Sequence, residues 1–142
     1  AEFKVQTNPK FEPASLKKVA SGGEQTRIFL SIQIVAAKTT QLPSLILDEA
    51  DVGVGGTTAD TIGRLLLDLG ANTQVICITH APQVAAIGQS HMRVVKEDSE
   101  ATIENLDYDM RVEELARMLA GSGITEKTRD YANTLLKEAS RK

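Results

Sequence analysis

Nowhere in its 142 residues does the chain carry a Gly-x-x-x-x-Gly-Lys-Ser/Thr segment, the loop whose amides and lysine cradle a nucleotide's phosphates. It has one cysteine, Cys77, inside the apolar run Val75-Ile76-Cys77-Ile78. No internal disulfide can form, and a buried, inert thiol in a reducing compartment, the cytoplasm, is expected. There is no surplus of basic charge either: 16 Lys and Arg against 19 Asp and Glu leave a net charge of -3, with the signs interspersed. That balance gives no support for direct nucleic-acid binding by this segment. No apolar stretch approaches the roughly 20 residues needed to span a bilayer, and the amino end lacks the pattern of a signal peptide, so no membrane partner is expected. The first residue is Ala1, not Met, and it leads straight into the strand-like Phe3-Lys4-Val5-Gln6-Thr7, as in a segment cut from something longer. What is present is 42% hydrophobic, enough for one domain of ordinary size to bury a core. Residues 1–142 are read as a single unit without internal repeat.

Residues 3–7 alternate like an edge strand, and Asn8-Pro9 with Pro13 marks irregular chain after it. From Gly22 to about Lys38 the positions Ile28, Phe29, Ile32, Val35 and Ala36 recur at helical spacing, so a helix starts near Ser21. Leu45-Ile46-Leu47 is too short for a helix and too uniformly apolar for a half-exposed strand, which predicts a central parallel strand buried on both faces and ending at Asp48-Glu49. Gly53, Gly55 and Gly56 form a flexible or tightly turned loop. Thr57 then caps a helix with apolar positions Ile62, Leu65, Leu66 and Leu69, ended by Gly70. Val75–Ile78 is a second buried strand ending at Thr79-His80. Strand, helix, strand is the crossover unit of a parallel sheet, and ligands of such sheets sit beyond the strands' carboxyl ends, so the two polar tips are expected side by side. A short helix over 83–87, a hairpin pairing 91–96 with 101–106, and two helices complete the chain. Their apolar stripes are Val112, Leu115, Ala116 and Leu119, then Tyr131, Leu135 and Leu136.

Three signatures carry chemistry. Ser21-Gly22-Gly23-Glu24 is, at its plainest, a capping box, the serine accepting from an early amide while the glutamate reaches back. A cap alone does not need Gly22-Gly23; two glycines strip side chains from the helix start, so exposed amides and the positive dipole end can press against a phosphate. Asp48 and Glu49 end a buried strand, where carboxylates cost desolvation unless paired or liganded. Asp48 can hold a Mg²⁺ through its water shell while Glu49 orients and deprotonates an attacking water, the positioning that phosphoryl transfer needs. The plainer alternative has Asp48 capping a turn and Glu49 solvated. His80 stands where an imidazole can sense a terminal phosphate, although a lone histidine at a strand end is more often just a satisfied polar group. His91 is given no role. Thr57-x-x-Asp60 reads as a helix start, and Arg111, Glu113 and Glu114 read as solvated charges.

In this order the motifs resemble the ABC-type ATPase superfamily and, within it, SMC-like heads. The stretches Val19 to Glu24, Asp48 to Gly56 and Thr79 to Ala86 look like the carboxyl-terminal head segment of the RecN family of bacterial DNA double-strand-break repair ATPases. Ala20 stands where many ABC proteins have leucine. The resemblance implies an α/β fold: the carboxyl-terminal lobe of a P-loop ATPase head, a mostly parallel sheet flanked by helices, with a carboxyl-terminal hairpin and helices. It implies a composite site in which two heads sandwich ATP and Mg²⁺. Asp48 then serves the metal, Glu49 and His80 act in cis as catalytic residues, Ser21, Gly22, Gly23 and Glu24 reach the partner head's nucleotide, and Asp51 with Gly53 lines the joint. The phosphate loop belongs to an amino-terminal head segment of the same protein, the second head makes a homodimer, and DNA is bound through the full-length protein at the bacterial nucleoid. This chain alone is expected to be inactive.

Other readings predict different chemistry. Asp48-Glu49-Ala50-Asp51 spells the signature of DEAD-box helicases, but a helicase has no reason for a glycine-opened helix one element earlier, and it wants Ser-Ala-Thr where Thr79-His80 stands. A transporter nucleotide-binding subunit shares the chemistry and would bind a membrane partner. A head-pairing interaction module would fold without contributing catalysis.

Overall fold

Two short apolar runs, Leu45–Leu47 and Val75–Ile78, set the frame. In the computed structural model, which describes residues 4–6, 9–10, 12–15, 22–40, 42–48, 51, 54, 56–98, 100–121 and 123–141, these runs lie side by side as parallel strands. The elements in chain order are β1 (Lys4–Val5), β2 (Ala14–Ser15), α1 (Gly22–Thr40), β3 (Ser44–Asp48), α2 (Gly56–Gly70), β4 (Gln74–Ile78), α3 (Pro82–Ile87), β5 (Met92–Glu97), β6 (Glu100–Asn105), α4 (Tyr108–Ala120) and α5 (Glu126–Ser140). β3 and β4 pair from Ser44 with Gln74 to Asp48 with Ile78, joined by the α2 crossover. β1 with β2 and β5 with β6 are antiparallel pairs, so parallel pairing among the described residues is confined to β3 and β4.

One core gathers Leu30, Ile34 and Ala37 of α1, Leu47 of β3, Ala59, Ile62, Leu66 and Leu69 of α2, and Ala81 with Val84 around the start of α3. The other joins Ala85 and Ala86 of α3 to Leu115 and Ala116 of α4 and Ala132 and Leu136 of α5. The six residues of α3 therefore serve both cores. α2 meets α3 at Gly63, where a Cβ would lie 2.7 Å from Ile87 Cδ1, so the bare glycine leaves room for the Ile87 side chain. Asp107 caps α4 by accepting from Met110 N, and Thr125 with Thr128 forms a capping box on α5.

Several expectations are corrected. β3 is covered on one face only: Leu47 is 3% exposed but Ile46 is 66% and, on β4, Ile78 is 53%. The helices reach one side of the two-stranded sheet, and among the described residues nothing covers the other. On α1 the buried stripe is Leu30, Ile34 and Ala37, opposite the one read from sequence; Phe29 and Val35 are 57% and 60% exposed. α1 is apolar on two faces, and periodicity alone could not say which is inward. Thr57 lies inside α2, which begins at Gly56, and does not precede it as a cap. Tyr131 is half exposed, the inner stripe of α5 running through Ala132 and Leu136. Arg111 and Glu114 are not solvated charges: Glu114 is 4% exposed, and Arg111 is half-buried against α3.

Candidate functional site

The strand ends create the site. Because β3 and β4 are parallel and in register to their last residues, Asp48 ends its strand beside Ile78, with strand axes about 4.8 Å apart. Thr79 and His80 follow at once on the neighbouring tip. The carboxylate of Asp48 and the imidazole of His80 are both exposed. Glu49, Ser21 and Gly53 lie outside the described residues. Gly22 and Gly23 open α1, and Glu24 sits in its first turn, so the glycine pair is at a helix start as the sequence predicts.

What ties the two tips together is Asp51. Its side chain is 1% exposed, and Oδ2 accepts from the Thr79 hydroxyl and, at 3.0 Å, from Ala81 N. Ala81 N also donates to Thr79 Oγ1 at 2.9 Å. His80 thus sits on a two-residue arch whose neighbours on both sides are fastened to the loop that follows β3. Within its own chain the Asp51 carboxylate is thus engaged across the two strand tips. A buried carboxylate needs donors, and these supply them, although Oδ1 has no partner. Thr79 is the residue that sequence reasoning missed here. Its signal was a hydroxyl directly after a buried strand, beside an acidic loop.

Cys77, on β4 beneath the arch, is partly buried. Desolvation, and after it the negative charge of Asp51, pushes its thiol up to about 11, so it stays protonated and unreactive near neutral pH.

At the far end of α3 stands Arg111. Gly88 follows the helix with φ -57° and ψ 135°, an extended conformation that cannot close the usual left-handed cap, so the last carbonyls of α3 need other donors. Arg111 Nη2 provides them, reaching Ala85 O at 3.3 Å, Ala86 O at 3.1 Å and Gly88 O at 2.7 Å. Its burial lowers its pKa from the ordinary value. Glu114, on the same helix, accepts from Arg117 at 2.6 and 3.0 Å and from Arg93 at 3.3 Å. Burial pushes its carboxyl up, but the two arginines outweigh that and hold it below the usual value. The signal for both was their placement: Arg111, Glu114, Leu115 and Met118 share one face at helical spacing, so these charges lie on the apolar stripe.

A groove of about 610 Å³ lies elsewhere, lined by Arg93, Tyr108, Glu113, Arg129 and Asn133 among others. It contains none of the strand-tip residues, and Arg129 in it is engaged by Glu113 and Glu126. Among the described residues no group of three or more His, Cys, Asp or Glu side chains gathers as a metal cage, and no helix is long and apolar enough to cross a membrane.

Set beside known proteins, the chain is 47% identical over 138 residues to the DNA repair protein RecN of Vibrio cholerae, covering 94% of this chain and 25% of that protein. It is 43% identical over 141 residues to RecN of Xylella fastidiosa, and 39% identical over 142 residues, 97% of this chain, to RecN of Bacillus subtilis. The chain is RecN-like. It spans about a quarter of the length of these relatives and matches their carboxyl-terminal part. A solved structure from work on the structural biochemistry of ATP-driven dimerization and DNA-stimulated activation of SMC ATPases superposes with a TM-score of 0.68 at 18% identity, over 80% of this chain and 70% of that one. The RecN-like chain thus shares the α/β fold of that structure. No protein-family profile matches it.

Proposed function

We propose that residues 1–142 form the carboxyl-terminal part of an ATP-hydrolysing head in a cytoplasmic, nucleoid-associated DNA double-strand-break repair protein. The observation that carries this reading is the fastening of two parallel strand tips by Asp51, which brings Asp48 and His80 to one exposed edge. The donor chemistry fits a Mg²⁺: Asp48 offers an exposed carboxylate oxygen, the hard donor such an ion takes, and among the described residues it belongs to no cluster of three or more His, Cys, Asp or Glu, which would suit an ion that kept most of its waters. Bound there, the metal would neutralise charge developing on the transferred phosphoryl group.

In this mechanism Asp48 holds the metal's water shell, Glu49 orients the attacking water and accepts its proton, and His80 hydrogen-bonds the terminal phosphate. Asp51 touches none of these and is a positioning residue, keeping the His80 arch beside Asp48. Ser21, Gly22, Gly23 and Glu24 face a second copy's nucleotide, where amides at the start of α1 stabilise its phosphates. An amino-terminal segment of the same protein brings the phosphate loop, and it is the natural cover for the sheet face that exposes Ile46 and Ile78. ATP-driven pairing of two such heads would hold DNA, and hydrolysis would release it; the isolated chain is inactive for want of the phosphate loop.

The test is Glu49→Gln in the full-length protein. ATP binding is retained while hydrolysis falls by more than roughly 100-fold, the scale expected on losing a general base. Unchanged turnover would leave the chain as a head-pairing module without catalysis. Ser21→Arg should abolish ATP-dependent dimerisation, and dimers that survive it would overturn the trans role.

A further inference from the structure

Arg111, far along the chain from the strand tips, holds the far end of α3, the helix that begins two residues after His80. We propose that Arg111 is a positioning residue for the site, setting the bearing of His80 through α3, an inference that rests on the role given to His80 above. At about 1.5 Å per residue, six residues put the carbonyl end of α3 roughly 9 Å from its start, so Arg111 acts through the helix and not by contact.

Three restraints act on this short element. At its start, Asp51 Oδ2 and Thr79 Oγ1 hold Ala81 N. On its flank, Ile87 rests on the bare backbone of Gly63, where even a methyl group would intrude. At its end, a single guanidinium nitrogen binds three carbonyls that the extended Gly88 leaves open. A six-residue helix is too short to be stable by its own hydrogen bonds, so its orientation is set by what grips it. Val84 lies in one core, and Ala85 and Ala86 lie in the other. Releasing the carbonyl end lets α3 tilt between the two cores, and the tilt is delivered to the residue at its other end. Small displacements of a group that must meet a phosphate cost disproportionately in rate.

The experiment is a double-mutant cycle on ATP hydrolysis by the full-length protein, with Arg111→Met, His80→Ala and the pair. Arg111→Met should lower kcat by roughly 10- to 100-fold. KM for ATP should stay within about 2-fold, because the lost interaction serves the reacting phosphate and not nucleotide binding. In the His80→Ala background the same change should cost less than about 2-fold, since no imidazole remains to be misdirected. Arg111→Lys, which keeps the charge and can still reach a carbonyl, should fall between parent and Arg111→Met, and it carries the same cycle if the methionine variant does not fold. An unchanged kcat, or an equal loss with and without His80, would overturn the proposal. His80→Ala tests the underlying reading separately: if hydrolysis is unaffected by that change alone, the role of His80 falls and this inference falls with it. A full effect of His80→Ala together with additive Arg111 variants would remove this inference only.

Discussion

Replacing Asp51 by alanine removes two hydrogen bonds to a carboxylate, those from Thr79 Oγ1 and Ala81 N. Bonds to charged acceptors contribute about 1.5–3 kcal/mol each, so the gross loss is about 3–6 kcal/mol. Two effects offset it. A buried carboxylate carries a desolvation cost of several kcal/mol that disappears with the charge. Ala81 N also keeps its second acceptor, Thr79 Oγ1. The net destabilisation should then be about 1–3 kcal/mol. Thr79→Val keeps the shape, removes the hydroxyl and leaves Ala81 N bonded to Asp51, so it should cost about 1–2 kcal/mol. The informative quantity is their coupling: with one bond shared, the double variant should be less destabilised than the sum by about 1–2 kcal/mol. Urea unfolding of the 142-residue chain, read from circular dichroism, gives all four corners of the cycle. Additivity within about 0.5 kcal/mol would refute the idea that Asp51 fastens the two tips to each other.

The thiol of Cys77, held near 11, should react with iodoacetamide at pH 8 roughly two orders of magnitude more slowly in the folded chain than in urea; equal rates would refute its burial beneath the arch. Glu114 has a folded pKa below its unfolded value of about 4.3, so its contribution is fully present above that pH and is lost as pH falls through the folded pKa. Glu114→Gln should therefore lower stability by about 1–3 kcal/mol at pH 7, the range for a buried pair discounted because Arg93 and Arg117 are 38% and 63% exposed. Urea midpoints of parent and variant should converge as pH falls below 4, and a constant gap would refute the assignment. Ile46→Thr and Ile78→Thr, on the uncovered sheet face, should change the stability of this chain by no more than about 0.5 kcal/mol. In the full-length protein, thermal unfolding of the same variants should show a larger loss if an amino-terminal segment covers that face.

Elements were legible wherever a local pattern was unambiguous. The βαβ unit follows from the apolar runs Leu45–Leu47 and Val75–Ile78 flanking an amphipathic helix, and α3 begins at Pro82, which is pre-set for a first helical position. The hairpin was legible too: Val94 pairs with Ile103, and Asp98 takes the left-handed φ of 51° in the tight turn. Facing was another matter. α1 presents apolar residues on two sides, and β3 alternates between Leu47 at 3% and Ile46 at 66% exposure within a run that reads as uniformly buried. Such a run describes a strand suited to cover on both faces, whereas the described helices cover only one. The mismatch between pattern and exposure is thus informative in itself, because it marks the sheet face that the described residues leave open.

The site divides along the same line. The placement of Asp48 and His80 at one edge was readable because strand termini in a parallel sheet gather there whatever the side chains do. The devices that hold them there were not. Asp51 depends on a contact across 28 residues to Thr79, and Arg111 on contacts across 23 to 26 residues to the end of α3. Neither contact has a periodic signature; each shows in sequence only as a charge where the pattern calls for none. Asp51 is fully buried after the strand, and Arg111 and Glu114 lie on the stripe of Leu115. Leaving such charges unpaired in these places would cost several kcal/mol, so each must have found a partner in the fold. The partners prove to be the two ends of α3 in one case each, for Asp51 and Arg111, and this short helix becomes the mechanical link between the strand tips and the carboxyl-terminal helices.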